Sequence, residues 1–195
     1  MQQYLFLYPL QQYFDRAIRE NASFRIYGYK PEKLFAIIDE RYRNEGFGID
    51  WLFFGKEGSV ETPDRESASS HLVMHPQDRL LTSGITMRDH QTERPEGYLY
   101  PDPEFILGQL PPHNRLVLGG FHQADCVDRI AEFSHKKGIP TFVDEDTTDH
   151  FFMLGPFHNI PIIRTRWTLD ALGCPPEYIQ EVIEDRKNKP WLVQC

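Results

Sequence analysis

The sequence predicts an α/β domain in which a mostly parallel sheet lies between two helical layers, and three observations carry that prediction. Short apolar runs alternate along the chain with segments of helical period. Residues 115–147, RLVLGGFHQADCVDRIAEFSHKKGIPTFVDEDT, read as a complete strand, loop, helix and strand. The run Leu116, Val117 and Leu118 is continuously apolar, as a strand covered on both faces is.

Taken in order, residues 4–8 form the first strand, and Pro9 separates it from a helix over 11–19 with Phe14, Ala17 and Ile18 on one face. Pro31 opens the next helix as a first-turn residue, Leu34, Ile37, Ile38 and Tyr42 form its apolar side, and Gly46 and Gly48 close it. Residues 49–54 are the second strand. Residues 55–79 are polar and aperiodic, long for a plain loop in a compact domain, and are expected to form a lid, an insertion or an edge hairpin through 71–74. A weakly signalled third strand follows at 80–86. Asp102 and Pro103 then supply the N-cap and first turn of a helix carrying Phe105, Ile106 and Leu110.

Leu116, Val117 and Leu118 end at Gly119 and Gly120, as a buried parallel strand ending in a turn would. Asp125 is the expected N-cap of the next helix, with Asp128 favouring its dipole and Val127, Ile130 and Ala131 at helical spacing. His135, Lys136 and Lys137 suit its last turn and Gly138 its stop, before a strand over 139–143. Residues 160–163 read as a last strand, 169–172 as a helical turn, and 176–186 as a helix with Ile179, Val182 and Ile183 facing inward.

A chain of 195 residues suits a single domain over 1–195 with a polar insertion at 55–79. The net charge of -8, from 21 Lys and Arg against 29 Asp and Glu, argues against nucleic acid and acidic membrane as partners. No apolar run approaches the ~20 residues of a membrane span. The opening MQQYLFLYPL lacks the basic start of a signal peptide. Cysteines at 126, 174 and 195, without a C-x-x-C pair, point away from a disulfide framework or zinc knuckle and toward a reducing, cytoplasmic setting. The expected partner is a small-molecule ligand, with no cofactor, and a homo-oligomer stays open.

Cys126 falls in the first turn of a helix at the carboxyl end of a parallel strand, where free N–H groups and the helix dipole stabilise a thiolate. Asp125 and Asp128 oppose that ionisation, and a free cysteine is more often an inert core residue. His122, Cys126, Asp144, Glu145 and Asp146 share the carboxyl edge, with Asp89 and His90 after the third strand. An acid/base or metal centre built from them competes with a solvated loop, and the lack of H-x-x-x-H or C-x-x-C spacing favours no metal. Gly119 and Gly120 are either an anion-binding backbone or ordinary strand ends. Trp51, Phe53 and Phe54 read as core, whereas His150, Phe151, Phe152, His158 and Trp167 could wall a pocket or seal a dimer.

Residues 116–146 resemble the isochorismatase-like cysteine hydrolases: Gly120, Cys126, Val127, Gly138 and Asp144 stand at the places matching that family's strand-end glycine, nucleophile and following strand. LFLYPLQQYF at 5–14 is similar to its opening strand and D-x-Q-x-x-F turn, with Gln11 and Phe14 matching, and PEKLFAIIDERYRNEGFGIDWLFFG resembles the helix and strand that follow. The resemblance implies a Rossmann-like, three-layer αβα sandwich and a triad of Asp base, Lys and nucleophilic Cys. Pro9 occupies the Asp position, and no lysine occurs between Lys56 and Lys136. Arg88 or Arg94 can replace the charge but not a base, because guanidinium stays protonated.

The expectation is therefore a divergent isochorismatase-like domain without the family's standard hydrolase chemistry, binding a small molecule or partner through Gly120 and Asp144. The alternative is an active cysteine hydrolase with Cys126 as nucleophile and His122 as a rearranged base. A third reading is an interaction subunit that uses 55–79 and the late aromatic loop.

Overall fold

The computed structural model describes residues 1–20, 31–56, 67–121, 123–148, 151–152, 160–161, 176–177, 180, 184 and 187–192. Strands β1 (Gln2–Leu7), β2 (Gly48–Phe53), β3 (Arg79–Thr82), β6 (Arg115–Gly120) and β7 (Thr141–Thr148) form one sheet in the order β3-β2-β1-β6-β7. Every pairing in it is parallel. Because β1 leads outward to β2 and β6 outward to β7 in the opposite direction, the strand order reverses between β1 and β6. Right-handed crossovers then put the helices that follow β1 and β6 on opposite faces, consistent with a three-layer sandwich.

Helices α1 (Gln11–Glu20) and α2 (Pro31–Ile38) form one layer. Phe6 of β1 meets Phe14 of α1, Phe35 of α2 and Trp51 of β2 with ring centroids 5.7–6.5 Å apart, so one aromatic cluster fastens this layer to the sheet. Helix α2 runs on into a π-turn, Asp39–Arg43, in which the Asn44 N–H donates to the Asp39 carbonyl. Gly46, at φ +79°, ends it, and Gly48 belongs to β2 instead of the stop expected for it. On the other side, α4 (Pro103–Gly108) packs against α5 (Asp128–Lys136). The Asp102 carboxylate caps α4 by accepting from the Glu104 N–H at 2.9 Å, as its sequence predicts.

Between β3 and α4 lie the short helix α3 (Met87–Gln91) and a ribbon of β4 (Glu93–Arg94) with β5 (Gly97–Tyr98). Thr86 caps α3 by accepting from the Asp89 N–H. In the region expected to be a lid or hairpin, residues 57–66 lie outside the described ones, and no hairpin occurs at 71–74 among those described. The later part is strapped down by backbone bonds from Ser69 to Pro9 and from Gln11 to Ser67. Asp78 then gathers the Arg43 guanidinium, the Trp51 indole at 2.9 Å and the His75 N–H at 3.0 Å. A buried carboxylate thus organises what looks like aperiodic sequence.

The expected last strand is also different. Ile160–Pro161 (β9) pairs antiparallel with Phe151–Phe152 (β8) in a separate ribbon and adds nothing to the main sheet. Pro161 fits such a two-residue ribbon better than a central parallel strand, since it has no N–H to donate. The predicted turn at 169–172 lies outside the described residues, as does most of the helix at 176–186. The chain beyond it returns to the sheet: Val143 N–H donates to the Trp191 carbonyl, and the Trp191 indole donates to Asp128 at 2.5 Å.

Candidate functional site

The crevice at the reversal point opens where β1 and β6 end, the place where open α/β sheets bind ligands. Gly120 makes the close approach there. Its φ is +106°, and a Cβ would stand 2.6 Å from the Leu7 nitrogen and nearer still to the Leu7 carbonyl oxygen. Gly119 leaves room for the Tyr4 hydroxyl, which donates to Thr147 Oγ1 at 2.7 Å. Both glycines are thus accounted for by packing between β1, β6 and β7.

After β6 the chain runs through a kinked segment, Gln123–Val127, before α5 begins. Asp125, at φ -136° and ψ -109°, is the non-helical residue before the regular turns; Val127 is already helical and its side chain makes no capping bond. Cys126 lies between the break and the first regular turn, with 3% of its surface exposed. Its Sγ is 3.7 Å from Nε2 of His90, contributed by α3. The His90 Nδ1 is 2.8 Å from the carbonyl oxygen of Leu99. A carbonyl only accepts, so Nδ1 carries the hydrogen in the neutral ring and the Nε2 lone pair faces the thiol.

Tyr8 completes this side of the crevice. It is the only non-glycine residue with positive φ, +57°, among the described residues, and it precedes a proline, where sterics already restrict the backbone. A bulky residue in that conformation costs about 1–3 kcal/mol and is held only where packing determines it. Here the ring stacks on Phe54 at 4.2 Å. The hydroxyl is buried beside the Cys126 sulfur and has no other hydrogen-bond partner. Burial, with Cys126 next and Asp125 contributing, holds its pKa well above the ordinary phenol value, so it stays a donor.

The opposite wall comes from α5 and the segment before α4. Arg129 sits 3.6 Å over the Tyr100 ring and 3.5 Å from the Asp125 carboxylate. Tyr100 also packs edge-on to His90. Burial first, then Asp125, raises the Tyr100 pKa against the pull of Arg129. Tyr8, Tyr100, Pro101, Arg129 and Ile130 close over the sulfur and leave no space for a water molecule. Beyond them a groove of about 240 Å³ shares Tyr100, Pro101 and Arg129 and continues to Phe133 and Lys136.

The structure therefore brings Cys126 together with His90, named in the sequence only as a neighbour after the third strand. His122, the residue expected to be the base, lies outside the described residues, as do the side chains of Glu145 and Asp146. Asp144 is placed elsewhere: Tyr42 donates to it at 2.6 Å and Arg41 spans both its oxygens at 3.2 Å. Asp89 holds Thr86 and Arg94. No protein-family model and no curated protein matches the chain. Tyr8, Tyr100 and Arg129 were not singled out by the sequence. For Tyr8 the signal was its place before Pro9 at a strand end; Tyr100 and Arg129 carry none.

Proposed function

We propose that this chain is a divergent isochorismatase-like thiol hydrolase whose reactive centre is the Cys126–His90 pair, acting on a small ester or amide. The observation that carries the reading is the His90 geometry, with one ring nitrogen fixed on the Leu99 carbonyl and the other 3.7 Å from the sulfur. That arrangement of nucleophile, base and orienter is the general form of activated nucleophiles. In it His90 takes the thiol proton and the thiolate attacks the acyl carbon. The leaving alcohol or amine receives the proton from His90, and water then hydrolyses the thioester. Tyr8 donates to the thiolate or to the oxyanion, while Arg129 offsets the adverse charge of Asp125.

The covered sulfur favours a second reading, ligand binding without turnover. For substrate to reach Cys126, the Arg129–Tyr100 pair must part and join the crevice to the neighbouring groove. p-Nitrophenyl acetate separates the two readings. A burst of p-nitrophenolate equal to the enzyme, absent in Cys126→Ser and slowed ~10²-fold or more in His90→Gln, is expected of the hydrolase. Release that is unchanged in Cys126→Ser eliminates it.

A further inference from the structure

We propose that His90, Asp125 and Cys126 form a binding site for a zinc-like divalent cation, and that the cation, when held there, masks the thiol. The inference uses the same side chains as the proposed function but does not require catalysis by Cys126. One ligand atom from each of the three residues lies within 4.8 Å of the other two. Thiolate, imidazole and carboxylate together suit zinc or cobalt and exclude the hard cations magnesium and calcium. With zinc–sulfur near 2.3 Å and zinc–nitrogen near 2.0–2.1 Å, a tetrahedral centre separates S from N by about 3.6 Å. The Sγ to Nε2 distance is 3.7 Å.

Two features outside the three ligands point the same way. His90 donates its second ring N–H to the Leu99 carbonyl, as metal-bound histidines do, so Nε2 is presented in the ligating tautomer. The hydroxyl of Tyr8, a residue only 1% exposed, borders the sulfur and has no other acceptor. Three protein ligands leave a fourth tetrahedral position; once the Arg129–Tyr100 pair parts, a water or hydroxide there would accept from Tyr8. Charge also agrees. Asp125 opposes a bare thiolate, but one dication neutralises both anions, and the thiol proton is released as the bond to sulfur forms. One Asp125 oxygen can turn to the metal while the other keeps Arg129 and Tyr100.

The test titrates the full chain with cobalt(II) and with zinc(II) against a chromophoric chelator. One equivalent is expected to bind, with a cobalt–thiolate charge-transfer band and intense tetrahedral bands. Binding should weaken at least ~100-fold in Cys126→Ser and His90→Gln, and by ~10–100-fold in Asp125→Asn. A Cys174→Ser, Cys195→Ser double variant should keep the site. In the unsubstituted protein, zinc should block iodoacetamide at Cys126, and EDTA should restore labelling, which tests the site without any folding change. A thiolate band that survives Cys126→Ser, or labelling of Cys126 indifferent to zinc, overturns the proposal. Metal binding without a p-nitrophenolate burst leaves the site standing and removes only the hydrolase reading; a burst with no metal binding does the reverse.

Discussion

Asp50 of β2 stands opposite Arg79 of β3 in the sheet register, with a guanidinium nitrogen 2.5 Å from a carboxylate that is wholly buried. Burial is the largest influence and pushes the Asp50 pKa up from 3.8 to about 6, against the pull of Arg79. A carboxyl whose pKa is higher folded than unfolded binds its proton more tightly in the native state. Its contribution to stability is complete below about pH 4 and is lost as pH rises to about 6. Urea unfolding across this window should show the protein losing roughly 3 kcal/mol relative to Asp50→Asn as pH rises. Parallel profiles would remove Asp50 as the cause. Asp78, whose pKa is lowered by Arg43 and Trp51 despite its burial, acts in the opposite sense and cancels in the comparison.

Two glycines with positive φ should respond differently to alanine. At Gly120 the new methyl meets the Leu7 backbone, which cannot move without shifting β1, and a loss above ~3 kcal/mol is expected. At Gly138, φ +79°, nothing lies within 4 Å, and only the left-handed backbone cost of about 1–2 kcal/mol applies. Denaturant midpoints of the two variants decide this, and equal losses would contradict it.

Asp78→Ala leaves the Arg43 guanidinium and the Trp51 indole without their shared acceptor. A loss of about 3–5 kcal/mol is expected, with Asp78→Asn milder because it keeps one carbonyl oxygen for the indole. Thermal unfolding followed by circular dichroism checks both variants. Two variants of equal stability would show that the charge alone matters.

Tyr8→Phe keeps the stacking on Phe54 but removes a buried hydroxyl that has no partner besides the Cys126 sulfur. Stability should hold or rise, within about 1 kcal/mol, while iodoacetamide labelling of Cys126 slows several-fold. Unchanged labelling would separate the hydroxyl from the thiol's reactivity.

The parts of the fold that were legible in the sequence are those governed by local pattern. The runs at 4–8, 49–54 and 115–120 are apolar because parallel strands are covered on both faces, and Asp102 with Pro103 marks a helix start by local hydrogen bonding and fixed φ. The residues around Asp78 were not legible, since one carboxylate draws together partners 35 and 27 positions away. Cys126 was found from its position on the topology. The approach of His90, 36 residues earlier, depends on how α3 is hung between β3 and the β4–β5 ribbon. The chain leaves helical geometry at Asp125, as its residue type suggests, but nothing local in the sequence shows that its carboxylate lies beside Arg129 and Tyr100.

The third partner of the thiol and imidazole is a peptide carbonyl, that of Leu99, and not a side chain. Substitution at residue 99 changes what surrounds that oxygen without deleting it. Among variants that stay folded, a saturation screen for lost activity should therefore report Cys126 and His90 and miss the orienting group entirely. Only changes in the length or course of the segment from the ribbon to α4 would expose it, so variants with altered spacing between Tyr98 and Asp102 should behave like losses of His90 itself.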